Sequence, residues 1–234
     1  MYKSDISAIE PPLKLKVCGL TKPGQIHELI LMNTDFLGFI FYGKSPRYVL
    51  NHMSLADISQ ISHRGKVGVF VNEKTENILQ TAEKAGLNFI QLHGDENESF
   101  ISGLREKLAP EIQVIKTLRI GSHEISLKDY LPGPSSNTAD YILFDTDSSN
   151  YGGTGKQFDW NVLNGFEIPL PYFLSGGISE ENIENIQILH RKPFAIDINS
   201  RFETEPGNKD IPKIQQLKSK IHQCESSDQK PRWV

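Results

Sequence analysis

"LKVCGLTKPGQ" (15–25) starts as a short apolar run, breaks at Cys18 and Gly19, and restarts as a helix opening at Thr21 to Pro23, where proline suits the first helical position. A strand that ends in a turn and passes into a helix is the repeating unit of a parallel sheet. Seven further apolar segments follow the first, "LKVC" (15–18): "FLGFIF" (36–41), "VGVFV" (67–71), "NFIQLH" (88–93), "QVIK" (113–116), "YILFD" (141–145), "YFLSG" (172–176) and "FAIDIN" (194–199). Most are rich in Val, Ile and Phe and are apolar on both alternating faces, the pattern of strands covered on two sides.

Helical periodicity fills most of the gaps. Ile78, Leu79, Ala82 and Ala85 share one face, as do Phe100, Ile101, Leu104 and Leu108, and, near the end, Ile211, Ile214, Leu217 and Ile221. Asp95, three residues before Glu98, reads as a capping box, and Ser179 before Glu180 and Glu181 as a helix start. Two connections read poorly as helix: 121–140 is interrupted by Pro132, Gly133 and Pro134, and 146–171 offers only a short helix near Trp160 and Leu163. Eight strands alternating with helices predict an α/β chain folded as a single (β/α)8 TIM barrel with weak or missing helices after strands five and six. The barrel is expected over 14–222, between an N-terminal tail (1–13) and a C-terminal tail (223–234).

The bulk composition is compatible with one such domain. The chain has 234 residues, 38% of them hydrophobic, enough for one sizeable core. Its 25 basic and 29 acidic residues leave a net charge of −4, which argues against a general nucleic-acid binder but leaves room for a locally positive pocket. No apolar run approaches the roughly 20 residues that span a bilayer, and "MYKSDISAIEPPLK" lacks the apolar core of a secretion signal. Cys18 and Cys224 are too few and too far apart for a disulfide framework, so a reducing cytosol is the simplest compartment.

In a barrel of this kind the active site lies at the C-terminal ends of the strands. Strand one ends there in Cys18, strand two leads to Ser45 and Arg47, four ends in His93, five in Lys116 and six in Asp145; eight carries Asp197 with Asn199 and Ser200. Strand seven exits through "SGGI" (175–178), whose Gly176 and Gly177 let backbone N–H groups approach an anion or simply make a turn. The residues alone leave other choices open. Free cysteine is often a small core residue, and Asp145 can cap the following loop. Arg47 suits a carboxylate but also suits solvent, and His93 fits a structural role as well as a substrate contact. Asp197 fits a ligand contact or a loop anchor, and Lys116 reads most simply as solvated. The loop "YGGTGK" (151–156) reads as a mobile cover or a plain surface loop.

The motifs together resemble the phosphoribosylanthranilate isomerase family: "KVCGLTKPG", "GFIFYGKSPRYV", "VGVFVN", "IQLHGDE", "LFDTDSSNYGGTGKQFDW", "LSGGI" and "DINSRFETEPGNKD", in this order from about Leu15 to Asp210. The resemblance implies an Amadori rearrangement in tryptophan biosynthesis, acting on a small anionic phosphosugar without a metal or redox cofactor. It implies Cys18 as general base, Asp145 as general acid and Arg47 as the ligand of the anthranilate carboxylate. His93 and Asp197 are then expected at the substrate, and Gly176, Gly177, Asn199, Ser200 and Arg201 at its phosphate. For these roles the Asp145 pKa must rise and the Cys18 pKa must fall. Asn199, Ser200 and Arg201 stand where the family usually has "SSG", so Arg201 offers charge where a glycine would offer close backbone approach. Gly43 stands where a proline is common, and Ser175 where alanine is usual. A carboxylate-pair isomerase of histidine synthesis, an indole-closing enzyme and a non-catalytic phosphate binder are the rival readings; the thiol on strand one speaks against the first, the need for a longer chain with a lysine acid against the second, and the presence of both Cys18 and Asp145 against the third. Oligomeric state is not legible.

Overall fold

The computed structural model describes residues 12–121, 139–146 and 158–228, with only the backbone described for residues 222 and 224–228. Eight parallel strands close on themselves: β1 (Lys14–Val17), β2 (Phe36–Ile40), β3 (Lys66–Phe70), β4 (Phe89–Leu92), β5 (Gln113–Ile120), β6 (Tyr141–Thr146), β7 (Tyr172–Leu174) and β8 (Ala195–Ile198). Each pairs with its sequence neighbours, and β1 pairs with β8 to close the ring, Lys16 standing opposite Asp197. This is the predicted barrel.

Strand residues divide by alternation. One set, including Leu15, Val17, Phe39, Leu92, Phe144 and Ile196, packs outward under the helices in the larger core. The other set fills the lumen, including Phe36, Val69, Ile115, Leu143 and Phe173. At the N-terminal end Phe36, Phe89, Tyr141, Phe173 and Phe194 form a layer of rings. Phe36 meets Phe89 and Phe173 edge-to-face at centroid separations of 5.2 Å, and Tyr141 lies 5.0 Å from Phe194. Such ring pairs each contribute about 0.5–1.5 kcal/mol beyond their buried area. Beneath this layer a cavity of about 330 Å3 opens to the N-terminal face.

The helices are α1 (Pro23–Leu31), α2 (Leu55–Ser59), α3 (Thr75–Ala85), α4 (Glu98–Arg105) and α5 (Ile211–Asp228). The predicted apolar stripes point inward, with Ile78, Ala82 and Ala85, then Ile101 and Leu104, then Ile214, Leu217 and Ile221 buried. Pro23 stands in the first turn of α1, as its fixed φ favours. The cap of α4 is Asn97, whose side chain accepts from the Phe100 N–H, rather than Asp95, which pairs with Arg119. No α-helix begins at Ser179. The chain makes a turn in which the Asn182 side chain accepts the Ser179 N–H, then a 3-10 stretch over Ile183–Ile188. Two asparagines and three β-branched isoleucines crowd residues 182–188, and both types disfavour the α-helix interior. After β6, a 3-10 stretch over Trp160–Gly165 stands where the short helix is predicted. The 121–140 connection falls largely, and the 151–156 loop wholly, outside the described residues. α5 continues past residue 222 to Asp228, beyond the predicted barrel boundary. A short hairpin absent from the sequence reading, β9 (Glu203–Glu205) with β10 (Asn208–Lys209), follows β8. Among the described residues no helix is long and apolar enough to cross a membrane.

Candidate active site

β1 presents Lys14, Lys16 and Cys18 to the lumen on one face of its alternation and Leu15 and Val17 to the helices on the other. Lys16 is one residue that the sequence reading missed. It is wholly buried, its Nζ lies 2.8 Å from Asp197 Oδ2 on the neighbouring strand, and it interacts with Cys18 at its own strand's exit. Its signal was available: a lysine at every second position of a strand with a cysteine next in the series is inconsistent with a purely apolar interior. Although burial favours the neutral amine, Asp197 and Cys18 together raise the Lys16 pKa and hold the cation. Burial raises the Asp197 pKa despite Lys16, and Asp197 Oδ1 has no hydrogen-bond partner among the described residues.

Cys18 corrects an expectation. Its pKa is raised, not lowered: burial dominates, Lys16 and Lys209 pull it down, and Asp197 opposes them. The resting sulfur is therefore a thiol, held next to two cations that favour its ionised form. The following residue explains the Cys-Gly junction. Gly19 takes φ +75°, and a Cβ there would come within 2.7 Å of both Arg47 Cδ and Asn199 Oδ1. Only glycine lets the Arg47 stem and the Asn199 amide close over the backbone beside the thiol.

Asp145, at the end of β6, has its pKa raised as expected, chiefly by burial. The Thr146 N–H donates to its Oδ1 at 2.8 Å, and Ser175 hydrogen-bonds the same carboxyl group and partly offsets the rise. Gly176 has φ +82°, and a Cβ on it would strike Thr146 Oγ1 at 2.3 Å, so the first glycine of "SGGI" packs the β7 exit against the Asp145 turn. His93 Nε2 lies 3.5 Å from Asp145 Oδ2. On its other side Gln91 Nε2 stands 3.0 Å and Thr117 Oγ1 3.2 Å from Nδ1. These two contacts fix the ring in its plane and turn Nε2 toward Asp145. Burial, with Lys16 next in effect, pushes the His93 pKa down to about 4, so its imidazole is neutral near pH 7. Lys16 and Asp197 couple to Cys18, to His93 and to Asp145, which ties these five groups into one site.

Arg47 is not a solvated arginine. It is buried, and Glu203 on the β9–β10 hairpin takes its Nε at 2.8 and 3.0 Å and its Nη2 at 2.7 Å. Lys209 holds Glu203 Oε1 at 2.6 Å and Asn199 Oδ1 at 2.9 Å. The sequence reading names neither Glu203 nor Lys209, because a charged hairpin of five strand residues carries no periodicity to read. Asn199 thus faces Lys209, and Ser200 opens a 3-10 turn over Ser200–Phe202. Arg201 is exposed, and its charge helps hold the Glu181 pKa low across the β7 and β8 exits, after the hydrogen bonds that Glu181 receives. Gly177 O accepts from the Asn182 side chain. Lys116 stands apart and is not solvated: its Nζ binds Gly94 O at 2.8 Å and Glu96 Oε2 at 2.9 Å, strapping the β4 exit to β5.

The N-(5'phosphoribosyl)anthranilate (PRA) isomerase family model matches residues 15–220. The chain belongs to this family. Among PRA isomerase relatives, the N-(5'-phosphoribosyl)anthranilate isomerase of Phocaeicola vulgatus is 40% identical over 212 residues, covering 88% of this chain and 98% of the relative. That of Parabacteroides distasonis is 38% identical over 213 residues, covering 88% and 92%. The crystal structure of phosphoribosyl anthranilate isomerase from Thermotoga maritima superposes with a TM-score of 0.75 at 34% identity, over 90% of this chain and 99% of that one. A further PRA isomerase structure, in complex with reduced 1-(O-carboxyphenylamino)-1-deoxyribulose 5-phosphate, superposes with a TM-score of 0.72 at 31% identity, over 92% and 99%.

Proposed function

We propose that this chain isomerises N-(5'-phosphoribosyl)anthranilate to 1-(2-carboxyphenylamino)-1-deoxyribulose 5-phosphate, the Amadori step of tryptophan biosynthesis, in the cytosol. The observation that carries the reading is one buried Lys16–Asp197 pair coupled to both a thiol, Cys18, and a carboxyl held up by burial, Asp145.

The chemistry needs those two groups in opposite protonation states. Asp145 gives its proton to the furanose ring oxygen as the C1–O bond breaks, and the anilino nitrogen lone pair forms the C1=N iminium. The Cys18 thiolate then removes the C2 proton, and that electron pair forms the C1=C2 bond while the iminium collapses to a neutral amine. Return of a proton from sulfur to C1, and of the C2 hydroxyl proton to Asp145, gives the ketone and resets both residues. Lys16 holds the sulfur ready to ionise, and the iminium formed in the first step adds a third positive charge near it. The unpaired Asp197 Oδ1 is an acceptor for a sugar hydroxyl, and Arg47 offers its free guanidinium edge to the anthranilate carboxylate. Neutral His93 orients Asp145 through Nε2. The β7 and β8 exits, with Gly176, Gly177, Asn199, Ser200 and Arg201, face the phosphate.

The test is a coupled assay on freshly made phosphoribosylanthranilate, following loss of its fluorescence. Wild-type turnover is expected, with Cys18→Ala and Asp145→Asn each losing several orders of magnitude while substrate binding persists. Near-native turnover in either variant refutes the assigned roles.

A further inference from the structure

We infer that Glu203 is the positioning residue that aims Arg47, and that Lys209 keeps the aimed group positive; the inference rests on the reading of Arg47 as the ligand of the substrate carboxylate. A guanidinium has five N–H donors and two edges fit for a carboxylate. Glu203 occupies the side edge, Nε and Nη2, with three contacts between 2.7 and 3.0 Å. Nη1 makes no hydrogen bond among the described residues, so the end edge, Nη1 with the second N–H of Nη2, is the edge left for substrate. Both partners are nearly sealed from water: the Arg47 side chain is 10% exposed and that of Glu203 3%. A planar fork fixed on one side has its other side fixed in direction too.

Aiming by a carboxylate has a cost. An Arg–Glu pair has no net charge and would attract a second carboxylate weakly. Lys209, whose side chain is wholly buried, adds a second cation at Glu203 Oε1, the oxygen that also takes Arg47 Nε; burial lowers its pKa and the Glu203 carboxylate beside it opposes that fall. Two cations and one anion leave the trio with a net positive charge. Burial and the Arg47 hydrogen bonds pull the Glu203 pKa in opposite directions; with Lys209 added, the result is a lowered pKa and a carboxylate that stays ionised. The hairpin is itself fastened to the loop after Cys18. Thr21 Oγ1 donates to Gly207 O at 2.7 Å, Gln25 exchanges hydrogen bonds with the Lys209 backbone at 2.7 and 2.9 Å, and the Gly207 N–H donates to Glu203 at 3.1 Å. Arg47 is thereby aimed from the same loop that carries the thiol.

The experiment compares two substrates, the natural one and N-(5-phosphoribosyl)aniline, which lacks the carboxylate. For the wild type, discrimination is the ratio of their kcat/KM values. Glu203→Gln is expected to raise KM for the natural substrate by about tenfold with kcat changed far less, and to lower discrimination by a similar factor, while the aniline substrate is nearly unaffected. Lys209→Gln leaves the side edge of Arg47 occupied yet removes the surplus charge, and is expected to lower discrimination as well; it stands as the second variant should Glu203→Gln fold poorly by circular dichroism. Discrimination unchanged in both variants, but lost in Arg47→Ala, overturns this inference and leaves the proposed function standing. Discrimination unchanged in Arg47→Ala overturns the assignment of Arg47 itself. Equal losses of kcat on both substrates in Glu203→Gln reveal a merely structural hairpin and also overturn the inference.

Discussion

At the scale of the residue, the site turns on a lysine beneath a cysteine. In the proposed mechanism Asp145 holds a proton while Cys18 lacks one, and both have raised pKa values. The productive pair of states is then a minority of the enzyme, constant in amount between the two pKa values. Activity falls below the Asp145 value, where the thiolate vanishes, and above the Cys18 value, where the acid vanishes. Lys16 lowers the pKa of both groups; it stands next after burial for Cys18 but behind burial and two hydrogen bonds for Asp145. Lys16→Met is therefore expected to shift both limbs of the kcat/KM profile to higher pH, the alkaline limb further, and to lower the plateau. An alkaline limb that stays in place refutes the role of Lys16. The site was legible where chemistry-bearing residues stand at strand exits, as Cys18, His93 and Asp145 do. It was illegible where a residue one pleat deeper, Lys16, sits inside a segment scored as apolar.

At the scale of the element, the β9–β10 hairpin and the α2 and α3 ends make separate predictions. Glu203 has a folded-state pKa below its ordinary 4.5. Its ion pairs therefore contribute stability above about pH 4.5, and the contribution is lost as pH falls through the lower folded value. Urea midpoints measured down the acid range should drop for the wild type and, over that window, drop less for Glu203→Gln. Lys66 does different work at the other end of the barrel. Its buried Nζ caps the C-terminal carbonyls of two helices, Ile58 O at 3.2 Å and Ser59 O at 3.4 Å from α2 and Ala85 O at 3.1 Å from α3. Lys66→Met leaves these acceptors without that donor and should cost about 1–3 kcal/mol, read from the same unfolding curves. Elements with a period were read correctly, as Ile78, Ala82 and Ala85 illustrate. The Ser179 segment opens with the helix-start feature read from it, the Asn182 side chain accepting the Ser179 N–H as in a capping box, but it continues as a 3-10 stretch because asparagine and isoleucine disfavour the α-helix that would follow.

At the scale of the whole molecule, the ring closes between β1 and β8, and the buried ion pair lies across that seam, Lys16 directly opposite Asp197. Removing one partner strands a buried charge, a loss of about 3–5 kcal/mol; replacing both with apolar residues of similar size is often near neutral. Asp197→Leu should destabilise strongly, and Lys16→Met with Asp197→Leu should recover most of the midpoint without recovering turnover. A double variant no more stable than the single one refutes the seam argument. Eight apolar segments alternating with helices favoured a closed ring over an open sheet, and the ring closes. The layer of rings at the N-terminal end carries one more consequence. Together with the packed lumen it closes the N-terminal end of the ring, so on the proposed mechanism solvent reaches the thiol only from the C-terminal rim, where the substrate would lie. A hydrogen lifted from C2 by sulfur would then be screened from bulk water while substrate is bound. In heavy water the product should retain part of its original label, passed from one carbon to the next.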